Sequence, residues 1–298
     1  MSKIKSFSVG NGDMFYIRHS SDNFTIIDCC LTDSSKQRVV RELARQQRQN
    51  DITRFISTHP DQDHIQRLAY LFDQLWVHSF YCVENAATKQ TKTADFARYR
   101  QLHSSTKKAR YIYKGCKRRW MNEGDHIRGS AGIEILWPDR RNQHFQQALR
   151  EAQRGGSPNN ISSIIRYSLN DGVRALWMGD LETEFMKAIT SQVVLPKADL
   201  LFAPDHGRKS GRVPRAWLDK IQPQIIVVGE APSSDLTYYS GYNTITQNSA
   251  GDIVFDCLHE RVDIYVENPR YSVGFLHNAR KDDRYGGYYL GSLCSRRR

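Results

Sequence analysis

The residues best suited to chemistry are four potential metal ligands within positions 59–64, namely His59, Asp61, Asp63 and His64. Pro60 keeps the start of this segment extended, because the residue before a proline is disfavoured in the helical region. His59 and Asp61 can therefore point the same way, whereas Asp63 and His64 begin the next turn and point elsewhere. Two pairs of ligands suit two metal ions that share a nucleophile. The cluster predicts a metal site, with one or two ions left open.

The surrounding pattern alternates strands and helices. A strand over 52–57 runs into the cluster, and a helix that includes Ile65, Leu68 and Phe72 follows it. Further strands are predicted at 4–9, 14–17, 24–27, 132–137, 161–169, 173–177, 198–202, 224–228, 253–255 and 262–266, with helices at 36–49, 139–158, 181–191 and 213–220. Hairpins followed by βα units, in two halves, favour an α/β fold of the four-layer αββα type.

Composition indicates a globular protein, because 39% of the 298 residues are hydrophobic and 25% are charged. No apolar run approaches the length of a membrane span, and the N-terminus has no signal-peptide pattern. We therefore expect a cytoplasmic protein without a membrane partner. The six cysteines are scattered without a C-x-x-C pair, which indicates neither a disulfide framework nor a zinc ribbon.

The net charge of +11 is concentrated in two segments, 89–119 and 296–298. Tyr99, Tyr111, Tyr113 and Trp120 interleave the first segment. Cations with aromatic rings suit phosphate neutralisation and base stacking, so the pattern favours nucleic-acid contact. A solvated helix and hairpin would explain it equally simply. We expect a basic surface insertion at about 85–120.

The His/Asp cluster resembles the H-x-H-x-D-H motif of the metallo-β-lactamase superfamily, with Asp61 in place of the second histidine. This S/T-H-P-D-x-D-H variant resembles the soluble β-lactamase-like domain of ComEC-type competence (DNA-uptake) proteins. Other segments are similar to that family in the same order: 9–13, 26–28, 159–167, 178–182 and 202–207. The resemblance covers roughly residues 4–260 and implies a metallo-β-lactamase-like αββα sandwich.

The resemblance also implies a ligand set. Its first metal position would take His59, Asp61 and Asp180, and its second would take Asp63, His64 and His206, with Asp180 bridging. The third ligand of the first position has no clear equivalent, so Asn159, Asn160 or water would fill it. Oxygen-rich ligation shifts the preference from Zn²⁺ toward Mn²⁺ or Mg²⁺.

Roles for the remaining residues follow from the same resemblance. Asp63, Asp180 and His206 would form the catalytic group, with Asp63 accepting a proton or holding a hydroxide. Four residues would contact substrate: Asn160, Arg208, Lys209 and Ser210. Asp28 and Asp205 would orient ligands rather than bind metal.

The chain also departs from the family. Asp205 stands where the family has the first histidine of H-H-G, and the later histidine-containing segment is replaced by 240–248, which has none. No channel-forming membrane part accompanies the motifs, so we expect a free-standing relative. We expect a hydrolase domain over 1–268 and a C-terminal extension with a basic tail over 269–298.

Three functions remain after these observations. The leading hypothesis is a metal-dependent phosphodiesterase, most simply a nuclease with a dinuclear site that acts on DNA. The second is a hydrolase of a small molecule such as a cyclic nucleotide, a lactone or a thioester, since the fold alone does not choose among them. The third is a binding or effector subunit of a multi-protein system, for instance in defence.

Overall fold

Two β-sheets packed face to face form the centre of the protein in the computed structural model, which describes residues 1–279 and 281–296. The strands are β1 Ser2–Ser6, β2 Phe15–Arg18, β3 Asn23–Ile27, β4 Cys29–Cys30, β5 Ile52–Ile56, β6 Ser79–Cys82, β7 Ala109–Tyr111, β8 Ile133–Trp137, β9 Ile164–Ser168, β10 Arg174–Trp177, β11 Leu200–Phe202, β12 Ile225–Val228, β13 Thr244–Thr246, β14 Ile253–Cys257, β15 Arg261–Val266 and β16 Tyr288–Cys294. The larger sheet has the order β16-β15-β14-β1-β2-β3-β5-β6-β7, and the smaller has the order β13-β12-β11-β10-β9-β8.

Helices cover the outer face of each sheet. They are α1 Lys36–Gln47, α2 Gln62–Ile65, α3 Leu68–Gln74, α4 Ala94–His103, α5 Gln143–Gln153, α6 Thr183–Ala188, α7 Arg215–Ile221 and α8 Gln247–Ala250. Buried side chains of α1, α3 and α4 pack in one cluster with the larger sheet, and those of α5, α6 and α7 pack with the smaller sheet. The layers are therefore helix, sheet, sheet, helix, and the predicted αββα architecture is confirmed.

Alternation along the strands creates the two cores. Phe15 and Ile17 of β2 face the space between the sheets, whereas Tyr16 between them faces the outer helices. Phe15 packs against Trp177 and Phe202, whose rings stack with centroids 4.6 Å apart. Trp177 and Phe202 are the last residues of β10 and β11, so this aromatic group holds those strand ends against β2.

The strand ends define where chemistry can occur. β3 and β5 are parallel, and Asp28 and His59 follow their carboxyl ends. β10 and β11 are also parallel, and Asp180 and His206 follow theirs. Crevices outside the carboxyl ends of parallel strands are the usual binding places in α/β sheets. Both sheets thus deliver polar side chains to one edge of the sandwich.

The helix predicted after the His/Asp cluster is interrupted. α2 and α3 are separated at Gln66 and Arg67, and Arg67 has a left-handed φ of 64°. The Asp95 carboxylate accepts hydrogen bonds from the backbone N–H groups of Arg67 (2.9 Å) and Ala69 (3.4 Å). Because Asp95 lies on α4, the local sequence gave no sign of this break.

The segment over 85–120 is more integral to the fold than a surface insertion. Phe96, Tyr99 and Leu102 of α4 are buried in the outer core, and β7 forms an edge strand of the larger sheet. The predicted C-terminal extension likewise contributes a strand, because β16 pairs antiparallel with β15. Of the predicted basic tail, Arg297 and Arg298 lie outside the described residues.

Two further observations concern membrane-spanning helices and cysteines. Across the part of the chain that the structure describes, no helix is both long and apolar enough to cross a membrane. All six cysteines are free thiols, and five of them are buried.

Candidate metal centre

Four buried side chains converge between the two sheets: Asp13, His64, Asp180 and His206. One ligand atom from each lies within 4.8 Å of all the others. They come from the β1–β2 turn, from α2 and from the loops after β10 and β11. Three of the four were predicted from the sequence, and Asp13 was not.

His64 is fixed from behind by Asp28. Its Nδ1 lies 2.9 Å from Asp28 Oδ2, and its Nε2 lies 2.9 Å from Asp180 Oδ1. Asp28 also accepts hydrogen bonds from the Thr58 backbone N–H (2.8 Å) and hydroxyl (2.6 Å). A carboxylate behind a histidine fixes the ring orientation and makes the other nitrogen more basic. Asp28 thus turns His64 Nε2 toward Asp180.

His206 reaches the cluster through an unusual backbone. Asp205 and His206 both have left-handed φ angles, 51° and 55°, which non-glycine residues adopt at a conformational cost. The Nδ1 atom of His206 lies 3.0 Å from Asp13 Oδ1, and its Nε2 atom lies 3.3 Å from Asp63 Oδ2. The strained turn therefore aims both ring nitrogens at carboxylates.

Asp180 occupies the centre of the group. Its carboxylate lies 2.9 Å from His64, 3.7 Å from His206 and 3.8 Å from His59. Gly179 before it has a φ of 52°, and a Cβ there would lie 2.7 Å from Ser162 Oγ, the atom that accepts a hydrogen bond from the Asp180 N–H. Burial alone would raise the pKa of Asp180, but His64 and His206 hold it well below its usual range.

The donor atoms of this group fit a divalent cation. His59 Nε2, His64 Nε2, Asp180 Oδ1 and His206 Nδ1 are buried without a hydrogen-bond partner, although carboxylate and imidazole atoms lie close by. Buried polar atoms are nearly always satisfied, so a set of unsatisfied atoms aimed at one space requires an explanation. A metal ion would satisfy them together. Imidazole with carboxylate ligation accommodates Zn²⁺, Mn²⁺ and iron.

His59 and His206 differ in their proton affinity. Burial, together with the nearby His64, lowers the pKa of His59 to about 4. Burial also acts to lower the pKa of His206, but Asp13 and Asp180 outweigh it and raise that pKa to about 10. His206 is thus protonated in the metal-free protein at neutral pH, and His59 is neutral.

The structure differs from the sequence prediction at Asp61. Asp61 was expected to point with His59, but its side chain accepts from the backbone N–H of Gln62 (2.7 Å) as the N-cap of α2. The same Oδ1 atom lies 2.5 Å from Lys89 Nζ. Capping turns the carboxylate back toward the helix start. Asp61 is therefore not among the four converging side chains.

The four expected substrate contacts mostly have structural partners. Asn160 exchanges hydrogen bonds with the side chain and backbone of Glu182 at the start of α6. Ser210 donates to the Asp205 carboxylate, and Arg208 lies 3.6 Å from that same carboxylate. The side chain of Lys209 is exposed.

Asp205 is a buried residue at the start of the loop over 205–210. Burial and the neighbouring Asp180 raise its pKa to about 6. Its carboxylate is used within the loop over 205–210, which carries His206. Asp205 thus contacts the loop that presents a ligand rather than the cluster itself.

Asp13 lies in the 9–13 segment, which resembles the family but for which the sequence predicted no ligand. It ends the 9–13 segment, in which Gly12 is packed so closely that a Cβ would lie 2.4 Å from Cys30 Sγ and 2.5 Å from the Asp63 carbonyl oxygen. The Asp13 N–H also donates to that carbonyl (3.3 Å). A glycine-rich turn followed by an aspartate is thus locked against the His/Asp loop.

A polar cavity of about 530 Å³ opens beside Asp61. It lies between the loop over 88–93 and the loop over 155–158. Its lining consists of polar residues, glycine and proline: Asp61, Gln62, Thr88, Lys89, Gln90, Thr91, Thr93, Gly155, Gly156, Ser157 and Pro158. Lys89 is the single cation among them.

Much of the basic and aromatic surface lies at the opposite end of the strands. Trp120 has the guanidinium groups of Arg119 and Arg128 within 4.7 and 4.8 Å of its ring. Arg128 pairs with Asp22 and Asp51, which precede β3 and β5, whereas the metal-cluster residues follow those strands. The beginning of the basic segment, at Lys89, lies instead beside Asp61 of the 59–64 segment.

The fold is a metallo-β-lactamase-like sandwich, and the four converging side chains form a candidate metal site. Residues 8–144 match the sequence model of the family described as Metallo-beta-lactamase superfamily. No curated protein matches the chain.

Among solved structures, the chain is similar to the crystal structure of CmlA, a diiron β-hydroxylase from Streptomyces venezuelae. Identity is 11% and the TM-score is 0.41, over 77% of this chain and 44% of that one. A mutant of the CmlA β-hydroxylase gives 10% identity and a TM-score of 0.47, over 85% of this chain and 53% of that one. The chain thus spans about half the length of these structures.

Proposed function

We propose that this protein is a metal-dependent phosphodiesterase that cleaves DNA in the cytoplasm through a dinuclear metal site. The observation that carries the proposal is the convergence of buried, unsatisfied imidazole and carboxylate atoms, with His64 in the same 59–64 segment as Asp61, which lines a cavity together with Lys89. The resemblance of its motifs to the soluble domain of DNA-uptake proteins supports the same substrate class. Mn²⁺ is the favoured ion, with Zn²⁺ and Mg²⁺ as alternatives.

Bound divalent ions would lower the pKa of a water molecule and neutralise charge that develops on a phosphoryl oxygen. The chain's own residues would do the rest. Asp63 has 23% of its side chain exposed, the largest fraction among the carboxylates that contact His206, so it is the one that faces incoming substrate. Burial acts to raise the pKa of Asp63, but the hydrogen bond with His206 Nε2, 3.3 Å away, lowers it to about 2 and orients the ionised carboxylate.

The cavity offers a cation to a phosphate substrate. Its lining residues are polar residues, glycine and proline, and Lys89 is the cation among them. The ammonium group of Lys89 can neutralise a phosphate there. The net charge of +11 adds a general attraction to nucleic acid, which weakens with salt.

The test is cleavage of supercoiled plasmid, single-stranded DNA and single-stranded RNA with Mn²⁺, Mg²⁺, Zn²⁺ or Fe²⁺. We expect Mn²⁺-dependent cleavage of DNA that falls at least about 100-fold in Asp180→Ala and Asp63→Ala, since catalysis through a metal depends on its ligands. Lys89→Glu should weaken cleavage about 10-fold or more. Lys107→Glu, with the same charge change in the exposed loop before β7, should alter it less than about 2-fold.

Failure to cut any nucleic acid with every ion, by protein that binds metal, would exclude the nuclease. The cavity volume of about 530 Å³ would also admit a single nucleotide, so a cyclic-nucleotide hydrolase is the second candidate. Cleavage of cyclic dinucleotides or cyclic mononucleotides at a rate indifferent to salt, without cleavage of DNA or RNA, would favour it.

A further inference from the structure

The two metal positions of the proposed site differ in the number of ligand side chains and negative charges around them. The second position is surrounded by Asp13, Asp63, His64, Asp180 and His206, of which three are carboxylates. The first position retains His59, whose Nε2 is 3.8 Å from Asp180 Oδ2, and Asp61, whose charge acts to raise the pKa of His59. The charge that attracts a divalent ion is therefore concentrated at the second position.

Lys89 makes the first position weaker still. Its ammonium nitrogen lies 2.5 Å from Asp61 Oδ1, and its side chain is only 18% exposed. The ammonium thus neutralises the one carboxylate that the first position does not share with the second. An incoming divalent ion would meet repulsion from this ammonium as well as from the ion already bound.

Neither of the two asparagines expected to fill the missing ligand place compensates for this loss. Asn160, one of the residues expected to fill the place of the missing third ligand, exchanges two hydrogen bonds with Glu182. Asn159 has a buried Oδ1 without a hydrogen-bond partner, and a neutral amide oxygen adds no charge. The first position therefore has one imidazole, a shared carboxylate and a carboxylate already paired with a lysine.

We propose that Lys89 competes with the first-position metal ion for Asp61, so that the protein holds one divalent ion tightly and a second one weakly. The inference rests on the metal site of the proposed function and adds a residue that sets its occupancy. Because Lys89 also lines the cavity, the same ammonium links metal occupancy to the place where substrate would bind.

The experiment is a titration of the metal-free full-length chain with Mn²⁺ alone, followed by electron paramagnetic resonance of free Mn²⁺ and by native mass spectrometry. We expect wild-type protein to bind one ion tightly and a second at least about 30-fold more weakly. Lys89→Met should tighten the weaker ion about 10-fold or more and leave the tight ion unchanged. Lys92→Met, on the exposed part of the same loop, should change neither.

Asp61→Asn provides the reciprocal variant. It should weaken the weaker ion further and abolish the effect of Lys89→Met in the double variant, since both act through one ion pair. Circular dichroism with thermal melting would confirm that each variant folds.

The possible results separate the two proposals. Two equally tight ions in the wild type, or a weaker ion unaffected by Lys89→Met, would overturn the role of Lys89 while leaving the metal site intact. Absence of any bound ion would overturn the metal site of the proposed function together with this inference.

Discussion

At the residue scale, the site depends on side chains that do not bind metal themselves. Asp28 holds His64 Nδ1 at 2.9 Å and is itself held by two hydrogen bonds from Thr58. Without that carboxylate, the imidazole could rotate or carry its proton on the wrong nitrogen. The orientation of the His64 imidazole is therefore set by Asp28, which is not itself one of the four converging side chains.

Asp28→Asn tests this dependence. The amide can keep a hydrogen bond to Thr58 but no longer supplies negative charge behind His64, so Mn²⁺ affinity should fall about 10- to 100-fold. Isothermal titration with Mn²⁺ measures it. Asp33→Asn, which removes an exposed carboxylate paired with Lys36, is the matched control and should leave affinity unchanged. Equal affinities in the two variants would contradict the positioning role.

At the element scale, the segment from α2 to α3 relies on a partner from α4. Asp95 accepts from two backbone N–H groups at the break and lies 3.4 Å from the Gln62 side-chain amide. The break turns α3 away from the metal cluster and lets Leu68 and Leu71 enter the outer core.

We expect Asp95→Ala to lower the free energy of unfolding by about 1–3 kcal/mol, because it leaves two backbone donors unsatisfied. Urea denaturation gives this value directly. Asp219→Ala, which removes an exposed carboxylate paired with Arg215 on α7, should change it by less than about 0.5 kcal/mol. Similar losses in both variants would show that the Asp95 hydrogen bonds to the backbone contribute no more stability than an exposed ion pair.

The sequence predicted elements well where the pattern was local. The strand into His59 and the hairpin closed by Asp180 have strong periodicity and turn residues. The direction of the Asp61 carboxylate was wrongly predicted because its backbone is extended as expected, but its side chain turns back to cap α2 at the Gln62 N–H. The break at Arg67 and the ion pair with Lys89 depend on residues about 28 positions away, and no local pattern encodes such contacts.

At the scale of the whole molecule, the metal cluster joins both sheets. Asp13 and His64 belong to the larger sheet and its connections, whereas Asp180 and His206 follow strands of the smaller one. An ion bound by all four would cross-link the two layers of the sandwich. Its free energy of binding would then add to the free energy of unfolding, because the unfolded chain has no such site.

Removal of metal should therefore lower the melting temperature, and the loss should grow with pH. In the metal-free protein the pKa of His206 is raised to about 10, so its protonated form stabilises the fold below pH 6.5 and that contribution is lost as the pH rises toward 10. Metal binding must displace this proton and is favoured over the same interval. Chelation should thus cost little stability near pH 6 and about 2.7 kcal/mol near pH 8, at free metal 100 times the dissociation constant that holds at pH 8. Differential scanning calorimetry with Mn²⁺ or a chelator measures both values, and Asp180→Asn should abolish the difference. A loss that is constant from pH 6 to pH 8 would mean that no histidine proton is released when the ion binds.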